Sequence, residues 1–266
     1  MASSQYEYFL DSPEECERLE RQASLEGIAR HLRHFEGVPR GRILDAGCGS
    51  GAMSRLLASR YPATEVVGLD LNPEYLNYAR GRVSVEHSPN LSFEQGDIQS
   101  LPFADSVFDV VWSQWVLYFL PRPDLALREC RRVLRPGGVV LIALDEKPLL
   151  TSFPEDVALQ QRLEKVAFAF ADVALARKLP PMLREAGFTD ISVEIETCKS
   201  LTILGSIDSD RRRNVEDHLD PIMVPIGTIL GGPAQAERFR SDLLAYLDRS
   251  DTCTYTMFWI VRGIAG

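Results

Sequence analysis

These 266 residues lack several features that mark whole classes of protein. No apolar run approaches the roughly 20 residues a bilayer-spanning helix needs, so no membrane association is expected. Five cysteines (Cys16, Cys48, Cys130, Cys198 and Cys253) are odd in number, widely spread and never in C-x-x-C spacing. That argues against both a disulfide framework and a zinc site. Four scattered histidines show neither metal-ligand spacing nor a Ser-His-Asp pattern, so no metal is expected. Basic charge is also short: 29 Lys and Arg face 38 Asp and Glu, a net charge of −9. No basic field is available to neutralise phosphates, which argues against a nucleic-acid partner. Arg131-Arg132 and Arg211-Arg212-Arg213 are short enough to be solvated helix faces. The opening MASSQYEYFLDSPEE has no basic, apolar leader, so a cytoplasmic location is expected. Repeats, low-complexity tracts and a clean linker are missing as well, so the sequence reads as one domain, 1–266.

What is present is concentrated in Arg42 to Asp70, RILDAGCGSGAMSRLLASRYPATEVVGLD. Ile43-Leu44 is a short apolar run ending in Asp45, followed by Gly47, Cys48, Gly49, Ser50 and Gly51. A helical pattern places Met53, Leu56 and Leu57 on one face and Arg55 and Arg60 on the other. Val66 to Leu69 is a second apolar run and stops at Asp70. Strand, glycine turn, helix, strand and acid make a βαβ unit with a nucleotide-type site at the carboxyl ends of its strands. The glycines let backbone approach a ligand, and the helix N-terminus after them offers free N–H groups. Asp70 is placed for ribose hydroxyls. A dinucleotide site usually reads G-x-G-x-x-G and faces a pyrophosphate. Here the spacing is G-x-G-x-G, and the Asp45 carboxylate would repel a pyrophosphate but suit an ammonium group.

Downstream the alternation continues. Pro13 to Phe35 is predicted as one helix, with Ser12 as N-cap, packing over the cofactor edge within a cap segment 1–40. Asn72-Pro73 opens a helix carrying Tyr75, Leu76 and Ala79. Strands are predicted at Leu91 to Glu94, at Phe108 to Ser113 and at Val139 to Leu144. An amphipathic helix, Asp124 to Leu134, lies before the third of these. The core 41–144 is then followed by two insertions, 145–178 and 197–250, containing a helix from Glu155 to Phe170. Pro180 to Gly187 is a short helix, Ile191 to Ile195 a half-buried strand and Thr254 to Val261 a strongly apolar one.

The motifs D-x-G-x-G-x-G (Asp45 to Gly51), Gly96-Asp97-Ile98, Ser113 to Phe119 and L-R-P-G-G (Leu134 to Gly138) resemble the class I S-adenosylmethionine-dependent methyltransferases over roughly Gly41 to Leu144. Within that class the likeness is to small-molecule enzymes such as the ubiquinone and menaquinone C-methyltransferases. The N-terminal pattern is similar to some natural-product methyltransferases, which suggests secondary metabolism. The resemblance implies an α/β fold, a doubly wound Rossmann-like sheet of seven strands with helices on both faces and the last strand antiparallel. S-adenosyl-L-methionine is the implied cofactor, held by Asp45, Gly47, Cys48, Gly49, Gly51, Asp70, Leu71, Gly96, Asp97, Ile98, Ser113 and Gln114. Asp97 would bond the adenine amine and Ile98 line the ring; capping of Gln99 onward is the other reading of Asp97. A bulky group on Cys48 would then block the turn.

Methyl transfer from a sulfonium is an in-line displacement, so positioning and water exclusion are the main tasks, and positioning alone supplies ~7–11 kcal/mol. Candidate bases are Asp145, Glu146 and His218, each of which also reads as a solvated loop carboxylate or surface histidine. Tyr8, Trp115, Tyr118, Phe153 and Met223 (with His218) are candidate lining for a small, partly apolar or aromatic acceptor; core packing competes for each. Without metal-ligand spacing, metal-dependent O-methylation is not expected. Two alternatives stand beside this reading: a nucleotide-dependent oxidoreductase, which Asp45 and the glycine spacing disfavour, and a protein that binds the cofactor without transferring a methyl group.

Overall fold

The structure, a computed structural model, describes residues 13–38, 41–83 and 88–266. Tyr8, Ser12 and the other aromatic residues near the N-terminus lie outside the described residues.

The chain runs α1 (Pro13–Glu26), a 3-10 segment (Ile28–Phe35), β1 (Arg42–Ala46), α2 (Ala52–Arg60), β2 (Glu65–Asp70), α3 (Pro73–Gly81), β3 (Leu91–Gln95) and β4 (Phe108–Gln114). It continues through α4 (Pro123–Val133), β5 (Leu134–Phe153), α5 (Val157–Phe170), α6 (Leu175–Glu185), β6 (Phe188–Thr197) and β7 (Ile203–Leu204). Helices α7 (Ser209–Leu219), α8 (Met223–Leu230) and α9 (Pro233–Leu247) lead to β8 (Cys253–Ala265).

The sheet order is β3-β2-β1-β4-β5-β8-β6, with β7 paired to β8. β1 pairs in parallel with both β2 and β4, β4 in parallel with β5, and β8 runs antiparallel to β5 and β6. The order therefore reverses between β1 and β4, the place where a doubly wound sheet opens a crevice at its carboxyl ends. One apolar layer joins the sheet to α4 and α6 through Leu127, Val133, Leu179 and Leu183. The other joins it to the 3-10 segment and α2 through Phe35, Met53, Leu57 and Trp112. Helices thus cover both faces, as βα alternation requires. A separate apolar cluster, centred on Ile226, Phe239 and Leu247, holds α5, α7, α8 and α9 together.

Three sequence expectations need correction. The helix predicted over Pro13 to Phe35 breaks at Gly27, whose φ of 63° is the left-handed conformation that glycine adopts cheaply. The fifth strand does not stop at Leu144. It runs on to Phe153 because β8 is long enough to pair with it beyond Glu146, through Thr151–Tyr255 and Ser152–Thr254. Asp145 and Glu146 are consequently buried strand residues rather than solvated loop carboxylates. An eighth, two-residue strand, β7, adds to the seven expected.

Candidate active site

β1 delivers Asp45 to the sheet edge and the chain then turns on three glycines. Gly47, Gly49 and Gly51 all have positive φ (81°, 53° and 77°). A Cβ at Gly47 would lie 2.3 Å from Val116 Cγ2, and one at Gly51 would lie 2.9 Å from Ala79 Cβ. The N–H groups of Gly47 and Cys48 both donate to the Leu69 carbonyl, at 2.7 and 2.9 Å, so the turn is pinned across to β2. Replacing Gly47 by alanine is expected to cost about 2–4 kcal/mol from the left-handed backbone and the overlap with Val116. Thermal unfolding should show a melting temperature lower by roughly 5–15 °C. Gly81→Ala, with open space around its Cβ position, should leave it nearly unchanged.

Asp45 is 3% exposed and its Oδ2 accepts the Ser54 hydroxyl at 2.5 Å. Burial pushes its pKa up to about 7; the Ser54 hydrogen bond opposes this and the neighbouring Asp70 adds to it. Asp70, at the end of β2, accepts the Gly49 N–H at 2.8 Å and the Asn72 N–H at 3.0 Å. Burial raises its pKa too, against those backbone bonds. No basic side chain is among the groups that shift either carboxyl. A buried acid and a half-buried one thus face one crevice with no cationic group among the described residues shifting them, and a cation would favour the ionised form of both.

Around them lie the remaining sequence-predicted residues. Leu71 is 66% exposed, an uncovered apolar side chain beside Asp70. Gly96 donates its N–H to the Asp70 carbonyl, and Ile98 is buried. Asp97 Oδ1 accepts the Gln99 backbone N–H at 2.8 Å, the turn-capping contact weighed from sequence. Ser113 donates to the Ala46 carbonyl at 2.8 Å, fastening β4 to β1, and the Gln114 amide nitrogen is buried without a hydrogen-bond partner among the described residues. The Cys48 thiol is buried, and burial raises its pKa well above the usual value, which makes it a slow nucleophile.

Helix α1 lies across this edge. The Leu19 methyl sits 3.2 Å from where a Gly49 Cβ would be, and Glu20 pairs with Arg55 of α2 at 2.5 Å. Cys16 lies near Asp70, which helps burial raise its thiol pKa to about 12. At the other end Glu26 lies near Asp145. The cap therefore reaches from one strand end to the other, about 15 Å along its ten residues.

The acceptor side is formed where β4 and β5 end. Trp115 follows β4 with a φ of 57°, unusual for a bulky residue, and donates its N–H to the Ala143 carbonyl at 2.9 Å. Its indole meets the Phe258 ring edge-on at 5.8 Å. Asp145, two strands from Asp45 and four residues beyond the register position opposite it, so about 16 Å away, is 5% exposed. Burial raises its pKa to about 6; hydrogen bonding from Tyr118 lowers it, the Glu26 charge raises it, and Trp115 offers a weaker pull downward. A carboxyl with a pKa near neutrality is poised as a base.

Other predicted residues are placed elsewhere. Glu146 is fully buried and ion-paired with Arg177 of α6. His218 is not a surface histidine: its Nδ1 is buried without a hydrogen-bond partner among the described residues. Burial, reinforced by Arg18, pushes its pKa down to about 3, which leaves it a weak base. Phe153 is 71% exposed at the far end of β5, and Met223 packs against the helical cluster of the second insertion. Neither is brought to Asp145 by the strand register. Glu26 was missed from sequence because its partners, Cys198 and Ser200, are 172 and 174 residues away.

A family model described as a methyltransferase domain matches residues 44–142, from β1 to β5. Over these residues the chain is similar to methyltransferase domains. The chain is 41% identical over 107 residues to the fatty-acid O-methyltransferase of Mycolicibacterium smegmatis, covering 40% of this chain and 38% of that protein. It is 30% identical over 181 residues to the malonyl-[acyl-carrier protein] O-methyltransferase of Methylococcus capsulatus, covering 65% and 61%. The chain thus matches between about two fifths and three fifths of the length of these relatives. Among solved structures, the phosphoethanolamine N-methyltransferase 2 of Haemonchus contortus superimposes with a TM-score of 0.63 at 20% identity, over 99% of this chain and 60% of that one. At that identity the likeness is one of fold. No helix among the described residues is long and apolar enough to cross a membrane.

Proposed function

We infer that this chain transfers the methyl group of S-adenosylmethionine to a small, partly apolar or aromatic acceptor. The observation that carries this reading is the pair of carboxyls, buried Asp45 and half-buried Asp70, flanking a glycine turn at the switch point of the sheet with no basic side chain among the groups that shift them. A nucleoside bearing an ammonium group meets both needs, whereas a pyrophosphate would meet repulsion. The donor supplies a methyl group already activated on a sulfonium.

In this reading Asp45 faces the ammonium group and Asp70 the ribose hydroxyls. Backbone at Gly47, Cys48, Gly49 and Gly51 forms the floor, and Gly96 leaves room between the two. Asp97 retains acceptor capacity beyond its Gln99 bonds, since a carboxylate offers about four lone-pair sites, and so holds the adenine amine against Ile98 and Leu71. Ser113 and Gln114 form the wall toward the acceptor. Trp115 and Tyr118 line the acceptor side, and Asp145 takes its proton. Helix α1, in the cap segment 1–40, excludes water over the core 41–144, and the segments 145–178 and 197–250 close the acceptor side within one domain. Both relatives above are named as O-methyltransferases, which favours an oxygen acceptor and gives a base work to do.

The test is partition of label. Purified protein is incubated with methyl-labelled S-adenosylmethionine and separated small-molecule, protein and nucleic-acid fractions of a cell extract. Label is expected in organic-extractable small molecules with matching release of S-adenosylhomocysteine. Label confined to the protein or nucleic-acid precipitate would overturn the reading.

A further inference from the structure

On the far side of α1 from the glycine turn, the 3-10 segment meets the outer strand β6. In a 3-10 helix, side chains three apart eclipse one another, so His31 and His34 project together toward Glu194 and Glu196. One ligand atom from each of His31, His34 and Glu196 lies within 4.8 Å of the other two. His31 Nδ1 is 3.5 Å from Glu196 Oε1, and His34 Nδ1 is 3.4 Å from Glu194 Oε2. Two donors on a tetrahedral ion at zinc bond lengths stand roughly 3.3–3.5 Å apart, the spacing His31 Nδ1 and Glu196 Oε1 already have; the His34 donor lies within 4.8 Å of them.

The second observation is polar atoms left over. The His31 side chain is completely buried, against Trp112 and Phe258, yet neither of its ring nitrogens has a hydrogen-bond partner among the described residues. The same holds for His34 Nε2. Buried nitrogens without partners in native proteins call for an explanation, and a bound ion is one of the few.

Two guanidinium groups already attend this corner. Arg30 pairs with Glu26 and, at 3.3 Å, with Glu196; Arg33 pairs with Glu194 and Glu196. Neither depends on Glu196 alone. Arg30 keeps Glu26 and the Thr197 carbonyl at 3.0 Å, and Arg33 keeps Glu194 at 2.7 Å. Lys199 also acts on His31, so three cations balance Glu26, Glu194 and Glu196 at this corner.

We propose that His31, His34 and Glu196 bind a divalent transition ion of the zinc type, tying the cap segment to the outer strand of the sheet. Imidazole nitrogen with one carboxylate is a donor set that suits zinc, copper and nickel rather than calcium or magnesium. The site lies outside the methyl-transfer site and stands whether or not that assignment holds.

The test uses the full chain, stripped with a chelator and titrated with Zn2+ by calorimetry and with Co2+ by visible absorption. One equivalent of each should bind, with cobalt bands of a four-coordinate nitrogen and oxygen site and no thiolate charge-transfer band. His34→Gln, at the more open of the two histidines, and Glu196→Gln should each weaken Zn2+ by more than the roughly 10–100-fold that loss of an outer-sphere partner costs. Circular dichroism of each variant separates loss of the site from loss of the fold, and the wild-type stoichiometry and cobalt spectrum stand without any variant. Sub-stoichiometric binding by the wild type, thiolate bands, or unchanged affinity in both folded variants would overturn the proposal.

Discussion

Asp70→Ala is expected to weaken binding of S-adenosylmethionine and S-adenosylhomocysteine by roughly 10²–10⁴-fold. Hydrogen bonds to a charged group contribute about 1.5–3 kcal/mol each, and a ribose diol offers two, so ~3–6 kcal/mol is at stake, at about 1.4 kcal/mol per tenfold. A second contribution comes from the protein itself. The carboxylate also accepts the Gly49 and Asn72 N–H groups, so alanine releases the glycine turn as well as the ribose. Asp70→Asn separates the two effects: it keeps one acceptor oxygen for the backbone but loses the charge and the second oxygen, and should fall between wild type and alanine. Calorimetric titration with both adenosyl ligands and with NADH measures all of this. Wild-type affinity in the alanine variant would remove Asp70 from the site.

The second large effect concerns Asp145. Asp145→Asn keeps the shape of the side chain and an oxygen for the Tyr118 hydroxyl, but cannot take a proton. If the acceptor is an oxygen or nitrogen that must lose its proton, kcat/KM should fall by about 10²–10⁴, the usual contribution of a positioned base. Affinity for S-adenosylhomocysteine should not change. The pH dependence gives the sign. A base works when ionised, so wild-type kcat/KM should decline as pH drops through the Asp145 pKa, at about 6, and that limb should vanish in the variant. Glu26→Gln removes a charge that raises this pKa and should move the limb to lower pH. An unchanged limb in Asp145→Asn would assign the proton transfer to another group.

The difference between what was legible and what was not follows sequence distance. Asp45, the glycines and Asp70 lie within 26 residues, and their strand-turn-helix-strand pattern is local, so the chemistry could be read from spacing alone. The parallel core and its switch point follow from the same alternation. The acceptor side depends on long-range pairing. Asp145 reads as the first residue of a loop, and only the partnership of β5 with β8, more than 100 residues later, extends the strand and buries it. His31 and His34 read as two residues of an ordinary helix, where three apart is merely adjacent on one face. The break at Gly27 and the 3-10 winding after it bring them into line with Glu196, which is 162 residues from His34. Phe153 and Met223 show the converse. Aromatic or flexible apolar residues in an insertion suggest a pocket, but one ends at the surface and the other packs among its own helices.

The most direct measurement is a crystal structure of the full chain with S-adenosylhomocysteine. The account predicts the ligand in the crevice between β1 and β4, its amino group beside Asp45, its ribose hydroxyls on Asp70, and its adenine between Ile98 and Leu71 with the amine at Asp97. A ligand bound away from the glycine turn, or a ribose that leaves Asp70 holding only Gly49 and Asn72, would contradict it.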